Sequence, residues 1–207
     1  MDEESFRREI SNKKRFEFGR NWKKFLGSLD EDRVREAEAS LKEMLEVETL
    51  RGKSFLDIGS GSGLFSLAAR NLGAKVYSFD YDPSSVWCTN KLKNKYYKND
   101  KNWEVEHGSV LDLPYLKSLG KFDVVYSWGV LHHTGGMWQA LENVSNLVSD
   151  GGRLFLALYN QQGIYSTYWR LVKRTYTSNK AIRPFWIVLH FFYPTLPSIA
   201  LRSSSLA

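Results

Sequence analysis

Short apolar runs alternate with amphipathic stretches through the middle of the chain. The runs at 54–58, 75–80, 103–107, about 122–127 and about 153–159 have the length and composition of strands bounded by turn residues. Between them lie stretches with helical spacing: Leu64 to Ala69, a segment through Trp87, Cys88 and Leu92, and 137–148, where Trp138, Leu141, Val144, Leu147 and Val148 share one side. Asp82-Pro83 opens the second of these, because proline suits a first turn and aspartate accepts from its free N–H groups. Upstream, Asp30 caps a helix whose apolar positions Val34, Ala37, Ala39, Leu41, Met44, Leu45 and Val47 continue to about Glu48. Asp150-Gly151-Gly152 turns the chain into the fifth strand. This alternation predicts an α/β fold: a mostly parallel sheet of five strands, preceded by N-terminal helices. After Asp150 there is no acid. Tyr165, Tyr168, Trp169, Arg170, Lys173, Arg174 and Tyr176 lead to an apolar run at 185–192, interrupted by Pro194 and Pro197, which predicts a basic, aromatic helical tail.

The first strand runs into Asp57-Ile58-Gly59-Ser60-Gly61-Ser62-Gly63. Glycine at every second position leaves no side chain between backbone and ligand. The helix that follows should point its free N–H groups into the same space. A dinucleotide fingerprint needs G-x-G-x-x-G, and Gly59, Gly61 and Gly63 are one residue short at the third glycine. Asp57, before the first glycine, would repel a pyrophosphate and suit a cation. Asp80 closes the second strand about 20 residues past the turn, where an acid takes ribose hydroxyls. Together they describe a nucleoside that carries positive charge and no phosphate, as S-adenosylmethionine does. A turn used only to pack helix on strand is the alternative.

At these residues the chain resembles the class I S-adenosylmethionine-dependent methyltransferases. Phe55 to Gly63 resembles their first motif, Phe79-Asp80-Tyr81-Asp82 their acidic loop after the second strand, Phe122 to His133 their fourth-strand motif, and Gly151 to Leu156 their fifth. The resemblance covers about residues 50–160 and implies a Rossmann-like, doubly wound sheet with the strand order 3-2-1-4-5. It implies that Asp57, Gly59, Ser60, Gly61 and Gly63 hold the amino-acid part of the cofactor and that Asp80, with Tyr81 and Asp82 beside it, takes the ribose. It further implies that Ser109 and Val110 border the adenine and that Ser127 and Trp128 line the methyl side. Ser109 stands where the family usually has an acid. An N-terminal helix often covers the cleft in this family, which makes Asn21 and Trp22 candidates for a lid; the other reading is that Trp22 only pins that helix to the core. Ser127 to His133 together with Tyr159-Asn160-Gln161-Gln162-Gly163 is similar to small bacterial methyltransferases in which a basic helical insertion and then two more strands follow the fifth strand. The resemblance implies that this chain stops inside or just after that insertion, with domains at 1–50 (helical cap), 51–160 (cofactor core) and 161–207 (tail).

With 207 residues and 43% hydrophobic composition the chain has room for one real core. A single cysteine, Cys88, excludes a disulfide framework and a cysteine metal site, and suits a reducing cytoplasm. The acidic start Met1-Asp2-Glu3-Glu4-Ser5 lacks the apolar core of a signal peptide. Adjacent His132 and His133 diverge and lack further ligands, so no metal is expected; either is a candidate general base, a structural histidine being the other reading. Net charge +6 leaves RNA open as a partner beside ordinary surface lysine, and the five lysines from Lys91 to Lys101 read equally as a solvated helix end. Asp112 is either a site residue or a loop acid. The tail is too short and proline-broken to span a membrane, while peripheral membrane contact stays open. The expected activity is methyl transfer to a small-molecule acceptor by in-line displacement. A catalytically incomplete cofactor-binding module and a nicotinamide dehydrogenase are the rivals.

Overall fold

The computed structural model describes residues 19–159 and 163–191. Met1 to Ser5, residues 160–162, Phe192, Pro194 and Pro197, all used above, lie outside the described residues. The chain divides between Tyr159 and Asn160 into two compact units.

The first unit runs α1 (Gly19–Gly27), α2 (Glu31–Leu45), β1 (Ser54–Ile58), α3 (Leu64–Asn71), β2 (Lys75–Asp80), α4 (Pro83–Tyr96), β3 (Trp103–His107), α5 (Leu113–Leu119), β4 (Phe122–Trp128), a 3-10 turn (Leu131–His133), α6 (Met137–Ser145) and β5 (Val148–Ala157). The five strands form one parallel sheet, as the alternation predicts, in the order β3-β2-β1-β4-β5 that the resemblance implies. β1 pairs with β2 on one side and β4 on the other, so the winding reverses beside it. Ligands of such sheets lie there, beyond the carboxyl ends of the strands.

Successive strand residues feed two cores. Phe55, Val76, Trp103, Val124 and Tyr126 pack with Val34, Ala37, Leu41 and Leu45 of α2 and Leu67 and Ala68 of α3. Leu56, Ile58, Phe79 and Val125 pack with Leu116 of α5 and Ala140 and Val144 of α6. The residues of α2 thus share the core of the sheet unit. Aspartates start three helices: Asp30 accepts from Arg33 N, Asp82 from Ser84 N and Asp112 from Tyr115 N.

Three boundaries differ from the sequence reading. Glu46 adopts a left-handed conformation (φ 51°) and ends α2 before Glu48. α6 ends at Ser145, and β5 begins at Val148 rather than near 153. Val148 pairs with Phe122 and Arg153 with Val124, so Ser149 to Gly152 bulge within the strand instead of leading into it. α5 was not foreseen; its short apolar stretch behind Asp112 and Pro114 carries a cap and a first-turn proline.

The second unit is helical, as expected: α7 (Gly163–Ser178), a 3-10 turn (Lys180–Ile182) and α8 (Arg183–Phe191). Trp186 Nε1 donates to Thr175 Oγ1 at 2.8 Å, and Trp169 and His190 rings approach to 4.8 Å, which fastens α8 on α7. No helix among the described residues is long and apolar enough to cross a membrane.

Candidate functional site

A cavity of about 430 Å³ opens at the carboxyl ends of the strands. Its size falls within the range of small-molecule sites. Its walls come from the glycine turn (Ile58, Gly59, Gly61), the end of β2 and the start of α4 (Phe79 to Asp82, Ser85) and the segment after β3 (Gly108 to Leu111). The end of β4 and its loop (Trp128 to Val130, His133, Thr134), Tyr159 and Trp22 complete them.

The three glycines of the turn have separate duties. All have left-handed φ (76°, 57° and 81°), a conformation that side chains rarely adopt. A Cβ on Gly59 would sit 2.5 Å from Val130, and one on Gly61 2.9 Å from Trp22 Nε1. One on Gly63 would meet Thr89 at 2.9 Å, on α4 and away from the cavity. Ser60 also faces α4, its hydroxyl 3.0 Å from Thr89 Oγ1. Four N–H groups of the turn itself are already paired within the protein. Gly59 and Ser60 donate to Phe79 O, Gly61 to Asp80 and Gly63 to Ser60 O. The turn meets the cavity with bare Cα surface, because its donors tie β1 to β2.

Asp80 is the best-placed of the expected residues. Its Oδ2 accepts from Gly61 N at 2.9 Å and its Oδ1 from Asp82 N at 2.8 Å, so the carboxyl is held from both sides. Burial pushes its pKa up to about 6, against these hydrogen bonds. Tyr81 lines the wall next to it, its carbonyl 2.9 Å from His107 Nε2. Asp82 also lines the wall, but both its oxygens are committed, to Ser84 N at 2.8 Å and Gly19 N at 2.7 Å.

Asp57 is not brought to the cavity. Its side chain enters the first core, where Ser66 Oγ donates to it. Behind Ser66 stand Ser78 Oγ, donating at 2.8 Å, and Trp103 Nε1, donating to Ser78 at 3.0 Å. Burial raises the Asp57 pKa to about 7 in spite of the Ser66 hydrogen bond, and the Asp80 charge adds to the rise. Ser127 is likewise turned inward, donating to Ile58 O at 3.1 Å. The alternation of a strand explains both: neighbours of wall residues point to the other face or into the ladder.

Ser109 and Val110 do border the cavity. Ser109 Oγ accepts from Leu111 N, and Val110 O accepts from Asn143 Nδ2. Asp112 acts as the cap of α5. Trp128 lines the wall and stacks on Phe155, ring centres 6.0 Å apart. His133 reaches the wall, while His132 lies between His133 and Tyr159, ring centres 4.1 and 4.6 Å away. Burial lowers the pKa of both histidines, and His132 lowers that of His133 further, so both are neutral at pH 7. Both ring nitrogens of His132 are buried without a hydrogen-bond partner among the described residues. No group of His, Cys, Asp and Glu able to hold a metal occurs among the described residues.

Gly108, Leu111, Gly129, Val130 and Thr134 belong to the two loops beyond strand ends where a ligand is expected. Ile58, Phe79, Ser85 and Tyr159 also line the wall, and the sequence reading did not name them as site residues.

The fold and the cavity at its switch point define a doubly wound α/β class, and comparison with known proteins narrows it. Residues 56–154, just under half of the chain, match the family model described as "Methyltransferase domain". The chain is similar to the tRNA U34 carboxymethyltransferase of Pseudoalteromonas translucida (strain TAC 125), 34% identical over 110 residues that cover 53% of this chain and 33% of the relative. It is also similar to the ubiquinone biosynthesis O-methyltransferase of Coxiella burnetii, 28% identical over 121 residues that cover 58% and 50%. The chain thus spans a third to a half of the length of these curated relatives. A crystal structure of magnesium protoporphyrin IX methyltransferase from Synechocystis PCC 6803 with bound SAH shares the fold, with a TM-score of 0.55 at 19% identity over 68% of this chain and 61% of that one.

Proposed function

We propose that the chain binds S-adenosylmethionine in this cavity and transfers its methyl group to a small acceptor. The observation that carries the reading is Asp80: a carboxyl held by two backbone N–H groups at the lip of a cavity floored by left-handed glycines. A ribose diol needs two donors' worth of acceptor on one rigid group, which this supplies. Gly59 and Gly61 leave room for the rest of the nucleoside, and Ser109 and Val110 border the adenine. The bound cofactor supplies a methyl already activated as a sulfonium, so the protein's task is proximity and orientation. At the other end of the cavity, Trp128, Tyr159 and His133 form the acceptor side, and His133, neutral at pH 7, accepts the proton of an acceptor hydroxyl or amine. His132 orients His133 and Tyr159 by packing between them.

Among the described residues that line the cavity there is no lysine or arginine, whereas Asp80, Asp82 and aromatic rings are present. That lining favours a neutral or cationic small molecule over RNA. The lysines at the end of α4 fit surface duty: Lys91 and Lys23 lie over the Trp87 ring at 4.9 and 5.3 Å. We assign the chain to the cytoplasm, supported by its single cysteine, Cys88, a thiol that burial pushes up to about 11. Calorimetry with S-adenosylmethionine and NAD, followed by a tritiated-methyl transfer screen against small-molecule, RNA, lipid and protein fractions, tests the reading. Binding without transfer to any fraction favours a cofactor-binding module instead, and binding of NAD alone overturns the reading.

A further inference from the structure

We propose that Asp82 is a positioning residue, a latch that holds α1 over the cavity and through Trp22 sets how long a bound nucleoside stays. The residence-time part rests on the nucleoside reading of the cavity. The latch itself stands on geometry alone.

Asp82 is 7% exposed, and each of its oxygens accepts a backbone N–H. Oδ1 accepts from Ser84 N and so caps α4. Oδ2 reaches across 63 residues to Gly19 N, the first helical residue of α1, at 2.7 Å. That N–H is one of the donors a helix start leaves unpaired, and α1 carries no acid of its own in its first turn. A nine-residue helix is too short to persist without such support. Gly19 has no alternative side chain in this arrangement. A Cβ there would lie 2.4 Å from Ser84 Cβ and 2.7 Å from Asp82 Oδ2.

The contacts close into a ring. Gly61 N donates to Asp80, Asp82 N donates to Asp80, Gly19 N donates to Asp82, and one turn along α1 Trp22 lies against Gly61. Trp22 is a wall residue of the cavity. The acid assigned to the ribose and the acid that fastens the lid are therefore joined through one backbone N–H. A ligand that fixes Asp80 also fixes the strand end from which α1 hangs.

The test uses the full chain in three forms: wild type, Asp82→Asn and Gly19→Ala. Asparagine caps helices as well as aspartate does, so Asp82→Asn keeps α4 but has one oxygen to share between Ser84 N and Gly19 N. Gly19→Ala leaves the Asp82 residue itself in place, and its Cβ, meeting Ser84 and the Asp82 carboxyl, pushes the start of α1 away. Amide hydrogen exchange without ligand reads the latch, and the dissociation rate of S-adenosylhomocysteine reads its consequence. Both variants should exchange faster across residues 19–27 and release the ligand about tenfold faster or more, the worth of one hydrogen bond to a charged group. Their thermal midpoints should stay near that of wild type. Wild-type exchange across residues 19–27 in Gly19→Ala, or unchanged release in both variants, overturns the latch. Failure of wild type to bind S-adenosylhomocysteine overturns the nucleoside reading and the residence-time claim, while the exchange comparison still decides the latch.

Discussion

Replacing Asp57 with asparagine should stabilise the free protein above neutral pH and leave its stability nearly unchanged near pH 4. The unfolded carboxyl ionises near 3.8, and burial raises the folded one to about 7. Between those values the folded state holds the proton more tightly than the unfolded chain. Stability then falls as pH rises and reaches its lower plateau above 7. At about 1.4 kcal/mol for each tenfold in proton affinity, the full cost approaches roughly 4 kcal/mol. Asp80, raised to about 6, moves in the same direction and remains in the variant. Asparagine is isosteric, keeps an oxygen for the Ser66 hydroxyl and carries no charge to bury. Urea unfolding of wild type and Asp57→Asn from pH 4 to pH 8 measures the difference. It should be small at pH 4 and grow with pH to roughly 2–4 kcal/mol in favour of asparagine. A difference that does not change with pH would falsify the view that Asp57 is a strained core carboxyl.

Asp80→Ala should weaken S-adenosylmethionine binding ten- to a hundredfold, about 1–3 kcal/mol for hydrogen bonds to a charged group; unchanged affinity in the folded variant sinks the ribose assignment. Gly61→Val should abolish binding with far-UV circular dichroism intact, since its φ of 57° and the Trp22 ring leave no place for a branched side chain. His133→Gln should cut methyl transfer about a hundredfold, and the wild-type rate should fall only below the ordinary histidine value of 6.5, because burial lowers this pKa; an acid limb above that value excludes His133 as the base. A chain ending at residue 160 should keep its cofactor affinity and gain solubility, since Ile164, Phe185, Ile187 and Val188 of the second unit are exposed apolar groups. Loss of folding there means that the tail completes the core.

The sheet was legible because its signals are local and mutually consistent. Each strand is an apolar run, each main crossover begins with a cap or a glycine, and alternation implies parallel pairing. What was lost lay where two signals overlapped. Leu147 and Val148 extend the apolar side of α6, yet Leu147 lies in the turn and Val148 starts β5, whereas periodicity alone assigns both to the helix. The pairing of Val148 with Phe122 decides otherwise. α5 was lost because seven residues make too short a pattern, although Asp112-Leu113-Pro114 carries both start signals.

The aspartates show why motif spacing reaches the site but not its division of labour. Asp57, Asp80 and Asp82 all stand at or beside the carboxyl end of a strand, where an acid reads as a ligand for a cation or a ribose. Their fates differ according to which donors surround them. Asp57 meets a hydroxyl in the core, Asp82 meets two helix starts, and Asp80 meets two backbone N–H groups with the cavity in front of it. Strand parity separates Asp57 from Ile58, since successive residues face opposite sides, and that much is computable from sequence. No local rule foresees Gly19 coming to Asp82 from 63 residues away. An acid at a strand end is therefore a candidate until its donors are known, and here they leave Asp80 as the carboxyl that both faces the cavity and keeps its outer side for a ligand.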